Sequence, residues 1–126
     1  MGSENRHRPH GSVAISATPQ AVRLTLHGEV DAAAAPDLIE AAITAERHLT
    51  TVEIDTRSVT FVDSSALAVF FRMTQTCRGR LQFIDPPDPV RFLLEVAGLR
   101  EGIDFTVVSL PRPAQSANPE RSDNPY

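Results

Sequence analysis

The chain has no lysine, a single cysteine and no long apolar run, and each absence removes a class of protein. Without lysine there is no glycine-rich phosphate-binding loop, whose lysine reaches the terminal phosphates. All 12 basic residues are arginines, scattered along the sequence and outnumbered by 16 acidic ones, so the net charge of -4 argues against a nucleic-acid partner. The lone Cys77 rules out an intrachain disulfide and suits a reducing compartment. Nothing approaches the roughly 18 consecutive apolar residues of a membrane helix, and the N-terminus lacks a signal-like apolar core. The expected location is the cytoplasm, with no membrane partner. His7, His10, His27 and His48 lack the short repeated spacings of metal ligands, so neither metal nor cofactor is expected.

What is present is one domain's worth of chain, 126 residues of which 41% are hydrophobic. Residues 1–11 are polar and aperiodic and are expected to form a disordered leader. From Pro111 to the end the composition is polar and proline-rich, which predicts a disordered tail over 111–126. The folded domain is expected over residues 12–110.

Within it, Val13, Ile15 and Ala17 alternate with small residues, Thr18-Pro19-Gln20 interrupts, and Val22, Leu24 and Leu26 alternate again, the signature of a hairpin. Pro36 and Asp37 suit a helix start, and Leu38, Ile39, Ala42 and Ile43 carry the helical period to about residue 47. Ala34 and Ala35 stand where a capping hydroxyl is expected, so this helix start is poorly capped. Val52 and Ile54 begin a third strand, which Thr56-Arg57-Ser58 connects to Val59-Thr60-Phe61-Val62.

A second helix shows Leu67, Phe70, Phe71, Thr74 and Cys77 on one face, with Val69 and Met73 on the flank, and Gly79 as its stop. Leu81, Phe83 and Ile84 form a short strand. A third helix runs through Val90, Leu93, Leu94 and Ala97 to Gly98, and Ile103, Phe105, Val107 and Val108 give a last strand. Strands separated by helices imply parallel pairing through crossovers. The expected fold class is α/β, a mixed sheet packed with crossover helices.

The stretch that organises the whole is Thr60-Phe61-Val62-Asp63-Ser64-Ser65-Ala66-Leu67, where a strand ends in a carboxylate and two hydroxyls and a helix begins. The first turn of a helix carries unsatisfied N–H groups and the positive end of its dipole, a setting that favours an anion. A serine there can cap the helix or carry a phosphate, and local sequence alone leaves both open. In parallel sheets the loops after the carboxyl ends of strands carry function, so Asp31 and the Asp63-Ser64 pair should share one end of the molecule.

Three segments together resemble the STAS domain family, found in bacterial anti-sigma factor antagonists and in the cytoplasmic ends of sulphate transporters. They are Gly28-Glu29-Val30-Asp31 with Ala35-Pro36, the Thr60–Leu67 stretch, and residues 89–99 from Pro89 to Leu99. The resemblance implies that the first serine after the aspartate, here Ser64, is phosphorylated by an anti-sigma factor that is itself a serine kinase. The unmodified domain would bind that kinase and free a sigma factor, and a phosphatase would reset the phosphorylated form. The partner-binding candidates are Asp31, Asp63, Ser64, Ser65 and Ala66, with Val69 and Met73 as secondary ones on the apolar flank of the second helix, where core packing is the other reading. Ala66 stands where the family usually has glycine.

No catalytic constellation competes with this reading. Val62-Asp63-Ser64-Ser65-Ala66 lacks both glycines of a Gly-x-Ser-x-Gly elbow, so an enzyme is not expected. The alternative is a STAS accessory subunit of a transporter or signalling assembly, not regulated by phosphate. Dimerisation is left open.

Overall fold

The computed structural model describes residues 11–110. The expected tail over 111–126, and the expected leader apart from its last residue, lie outside the described residues. Five strands form one sheet in the order β1-β2-β3-β4-β5. They are β1 (Ser12–Ala17), β2 (Ala21–Val30), β3 (Thr51–Val62), β4 (Leu81–Ile84) and β5 (Thr106–Val108), with α1 (Ala35–Glu46), α2 (Ser64–Thr76) and α3 (Asp88–Val96) between them. β1 pairs antiparallel with β2, and every later neighbour is parallel. The mixed α/β sheet expected from the pattern is therefore the observed one.

Each parallel step moves one place in the same direction across the sheet. Right-handed crossovers then put every helix on the same face. The burial agrees: Leu38, Phe70, Val90 and Leu94 from the three helices join Leu24, Ile54 and Phe83 from the strands in a single core cluster. Phe83 sits at its centre, with Phe70 and Phe105 each edge-on at 5.2 Å between ring centroids. The opposite face of β2 and β3 carries Arg23, Thr25 and His27 beside Glu53, Asp55 and Arg57. One apolar face and one polar face are what a sheet covered on one side requires.

Four expectations change. β3 is one twelve-residue strand, not two pieces joined by Thr56-Arg57-Ser58. Its register with β2 slips between Thr25 and His27 and again between Gly28 and Glu29, each time leaving an extra residue on β3. The slips move the inward positions from Thr56 to Val59, and this break in alternation imitated a connector. Gly28, at φ 80, takes the left-handed backbone between the two slips that a side chain would resist.

The inner face of α2 is also rotated from the expected one. Val69, Phe70 and Met73 are buried while Phe71 is 50% exposed, because the helix packs against both the sheet and α1. Ile39 of α1 likewise stands half-exposed, its place inside taken by Ala41, Ala42 and Ala45. Finally, the last strand is only Thr106–Val108, and Ile103 lies exposed in the turn before it.

Candidate functional site

β2 and β3 run parallel and pair Val30 with Val62. The next residue after each strand is an aspartate, so the register brings Asp31 and Asp63 to the same, carboxyl, end of the sheet, as the loop positions predicted. Each carboxylate is tied to its own backbone. Asp31 accepts from the Ala33 N–H at 3.0 Å, and its carbonyl accepts from Ala34 N–H at 3.0 Å, closing the turn into α1. That turn substitutes for the missing cap, since Ala34 itself offers no side-chain hydrogen bond.

Asp63 is the N-cap of α2. Its backbone is extended, its carboxylate accepts from Ser65 N–H at 2.8 Å, and its carbonyl accepts from Leu67 N–H at 3.1 Å. With the cap position filled by Asp63, Ser64 becomes the first helical residue and its hydroxyl has no capping duty. Ser64 is exposed. Among the described residues its hydroxyl makes no side-chain hydrogen bond, and the N–H groups of Ser64 and Ala66 reach no acceptor. The first turn of α2 thus offers a free hydroxyl, free donors and the positive dipole end on one surface.

The remaining site residues divide. Ser65 is half-buried. Ala66 and Met73 have no exposed surface, so both point into the core and neither can be touched by a partner docking on the intact fold. The same orientation turns the Ala66 methyl away from the surface that presents Ser64. Val69, at 5% exposure, forms part of the floor of a groove of about 190 Å³ between α1 and α2, with Ile39, Ala42, Ser65, Ala68 and Arg72. Arg72 reaches across to Glu46 of α1 with two hydrogen bonds of 3.0 and 2.9 Å, and Thr76 donates to the same carboxylate at 2.9 Å. These bonds bridge the two helices on the exposed side of their packing. Sequence periodicity marked Val69 but could not place Ile39, Ala68 or Arg72 on one groove, which requires knowing which flank of α1 meets α2.

A second charged feature lies on β3, with a signal in the sequence. Glu53, Asp55 and Arg57 alternate along β3, and Arg23 stands on the neighbouring strand. On the open face of the sheet the Asp55 carboxylate, 7% exposed, is bound by Arg57 at 3.0 and 2.8 Å and by the Arg57 backbone N–H at 3.1 Å, with Arg23 at 3.8 Å. Burial pushes the Asp55 carboxyl up, but the hydrogen bonds and charge of Arg57, helped by Arg23, prevail and hold it below its ordinary value. Arg57 is correspondingly raised by its hydrogen bond to Asp55.

A further cavity of about 270 Å³ lies between α3 and β5, with Leu94, Leu99 and Phe105 among its walls, and shares no lining residue with the groove. Among the described residues no cluster of His, Cys, Asp and Glu could hold a metal ion, and no helix is long and apolar enough to cross a membrane.

Residues 13–109 match the family described as Mlab, STAS domain. No curated protein matches the chain in sequence. Among solved structures, the chain is similar to the anti-sigma factor antagonist SpoIIAA in its unphosphorylated form, at 20% identity and a TM-score of 0.64 over 90% of this chain and 100% of that one. It is similar to the Bacillus cell fate determinant SpoIIAA in its phosphorylated form, at 18% identity and a TM-score of 0.64 over 88% of this chain and 99% of that one. An anti-sigma factor antagonist from Mycobacterium paratuberculosis gives 16% identity and a TM-score of 0.67 over 90% and 96% of the two chains. At such identities the likeness is one of fold.

Proposed function

The chain belongs to the STAS domain family, and on that premise we propose that it is an anti-sigma factor antagonist switched by phosphorylation of Ser64. In the unphosphorylated state it binds an anti-sigma factor with serine kinase activity and so releases a sigma factor for transcription. Phosphorylation ends that binding, and a phosphatase restores it. The reading makes it a cytoplasmic regulator and not an enzyme.

The observation that carries the proposal is the division of labour at the start of α2. Asp63 caps the helix, which leaves the adjacent Ser64 hydroxyl exposed and without a structural task. A phosphate adds about -1.5 to -2 charge at that point. The helix dipole and the free N–H groups accommodate it within the domain, whereas a partner surface packed over the same spot meets new charge and bulk. A partner that reads Ser64 also lies beside the α1–α2 groove, where Ser65 forms part of the wall.

The test is to incubate the full chain with ATP and the cognate anti-sigma kinase and to map the product by mass spectrometry. One phosphate on Ser64, absent from Ser64→Ala and retained in Ser65→Ala, is the expected result. No incorporation into the folded wild type, or undiminished incorporation into Ser64→Ala, overturns the reading.

A further inference from the structure

The two edges of the sheet are built differently. β5 is three residues long, and shortness is one way an edge is kept from pairing with another chain. β1 presents six residues, Ser-Val-Ala-Ile-Ser-Ala, with no charge, no proline and no glycine, and its ladder to β2 contains no bulge. No charged residue stands anywhere between Gly11 and Val22, in a chain that is 22% charged. The outward N–H and C=O groups of β1 face no strand among the described residues. Among the described residues none of the usual guards of an exposed edge is present.

The occupant is indicated by the strand's own symmetry. Read from either end about Ala14, the order is serine, β-branched residue, alanine, β-branched residue, serine. We propose that β1 is the docking edge for a second copy of this chain, the two β1 strands pairing antiparallel about a two-fold axis through Ala14. An axis perpendicular to the sheet keeps each face continuous, so residues on the helix side of one copy meet residues on the helix side of the other. Val13 of one copy then faces Ile15 of the other, Ser12 faces Ser16, and Ala14 faces itself.

Val13 and Ile15 are the right pair to meet. They lie opposite Leu26 and Leu24, both fully buried, and so belong to the helix-covered face. Ile15 is nonetheless 41% exposed, because β1 has no outer neighbour among the described residues. Pairing covers it with a second β-branched side chain, a favourable cross-strand partner, and brings no like charges together. The contact is isologous and closed, using the same patch twice. Two five-stranded sheets become one continuous sheet.

The rotation sends the carboxyl ends of β2 and β3 to opposite ends of the dimer, leaving both copies of Ser64 accessible. The inference therefore does not depend on the antagonist reading, and each can fail alone.

The experiment is sedimentation velocity with light scattering on the full chain, up to millimolar concentration. The expected mass approaches twice 13.7 kDa. Ala14→Lys and Ile15→Lys should each weaken association about tenfold or more by guarding the edge, while Thr106→Lys on the opposite edge should not. If Ile15→Lys unfolds, Ala14→Lys decides, since Ala14 is exposed on the open face. Register is read by oxidation. Ala14→Cys should link two chains, whereas Ser12→Cys should not, because the two Ser12 positions fall about 14 Å apart in this pairing. Cys77 is buried and stays silent. A single-chain mass at every concentration, lysine variants no weaker than Thr106→Lys, or linkage through Ser12→Cys in place of Ala14→Cys would each overturn the proposal.

Discussion

Asp55 and Asp63 stand in the middle and at the exit of the same β3 segment, and the chain treats them in opposite ways. Asp55 is almost wholly buried and is compensated by two arginines, so its charge is spent within the fold. Asp63 is half-buried, and among the described residues its carboxylate is engaged only by the start of α2. Around Asp55 a change of charge disturbs the fold. Around Asp63 and Ser64, where the field comes from a helix end, added negative charge is tolerated by the domain and is felt by whatever docks on it. Structure and switching are thus separated along one strand, and substitutions can test whether the separation is real.

The largest effect is expected at the switch. Ser64→Asp should bind the anti-sigma factor more than a hundredfold more weakly, about 3 kcal/mol, while its melting temperature stays close to that of the wild type. Calorimetry and thermal denaturation on the same samples read both quantities. Equal affinity, or lost affinity accompanied by a large fall in melting temperature, breaks the comparison.

At the other region the pattern should reverse. Asp55→Ala removes the acceptor of three hydrogen bonds from Arg57 and leaves the guanidinium without its main partner. Because Arg57 is itself 41% exposed, water recovers part of the loss, and about 2 kcal/mol of stability is the expected cost in denaturant titration. Partner affinity per folded molecule should not change. An Asp55→Ala protein of normal stability that fails to bind would show that the open sheet face, and not the α2 end, meets the partner.

These two regions were not equally legible in the sequence. The α2 start announced itself, because an apolar run ending in Asp-Ser-Ser and followed by a helical period permits few local structures. The alternating fold followed from the spacing of Val22, Leu24, Val52, Ile54 and Phe83. What failed were features set by which neighbour each element meets. The twist of α2 toward α1 buried Met73 and exposed Phe71, and the two register slips against β2 disguised β3 as two pieces. The Asp55–Arg57 pair was readable as i, i+2 charges on one strand face, but only its burial beside Arg23 makes it a structural element.

A smaller effect separates the roles of Asp63. Replacing it with alanine removes the cap and should cost about 1 kcal/mol, whereas Asp63→Asn keeps the capping geometry and should cost a few tenths at most. Urea titration of the two variants gives the difference. If asparagine destabilises as much as alanine, the carboxylate charge and not the cap holds the start of α2, and the helix end is less tolerant of charge change than the comparison requires.

The smallest effect concerns acid. The folded Asp55 carboxyl is held below its ordinary value of 3.8, so the folded state binds this proton less readily than the unfolded chain does. Its contribution is therefore complete above about pH 4 and is lost as pH falls through the folded value, because protonation then favours unfolding. In Asp55→Asn that contribution is missing at every pH. The stability gap between wild type and Asp55→Asn should be widest near neutrality and close progressively below pH 4, and parallel curves down to pH 2 would remove Arg57 and Arg23 as the source of the stabilisation.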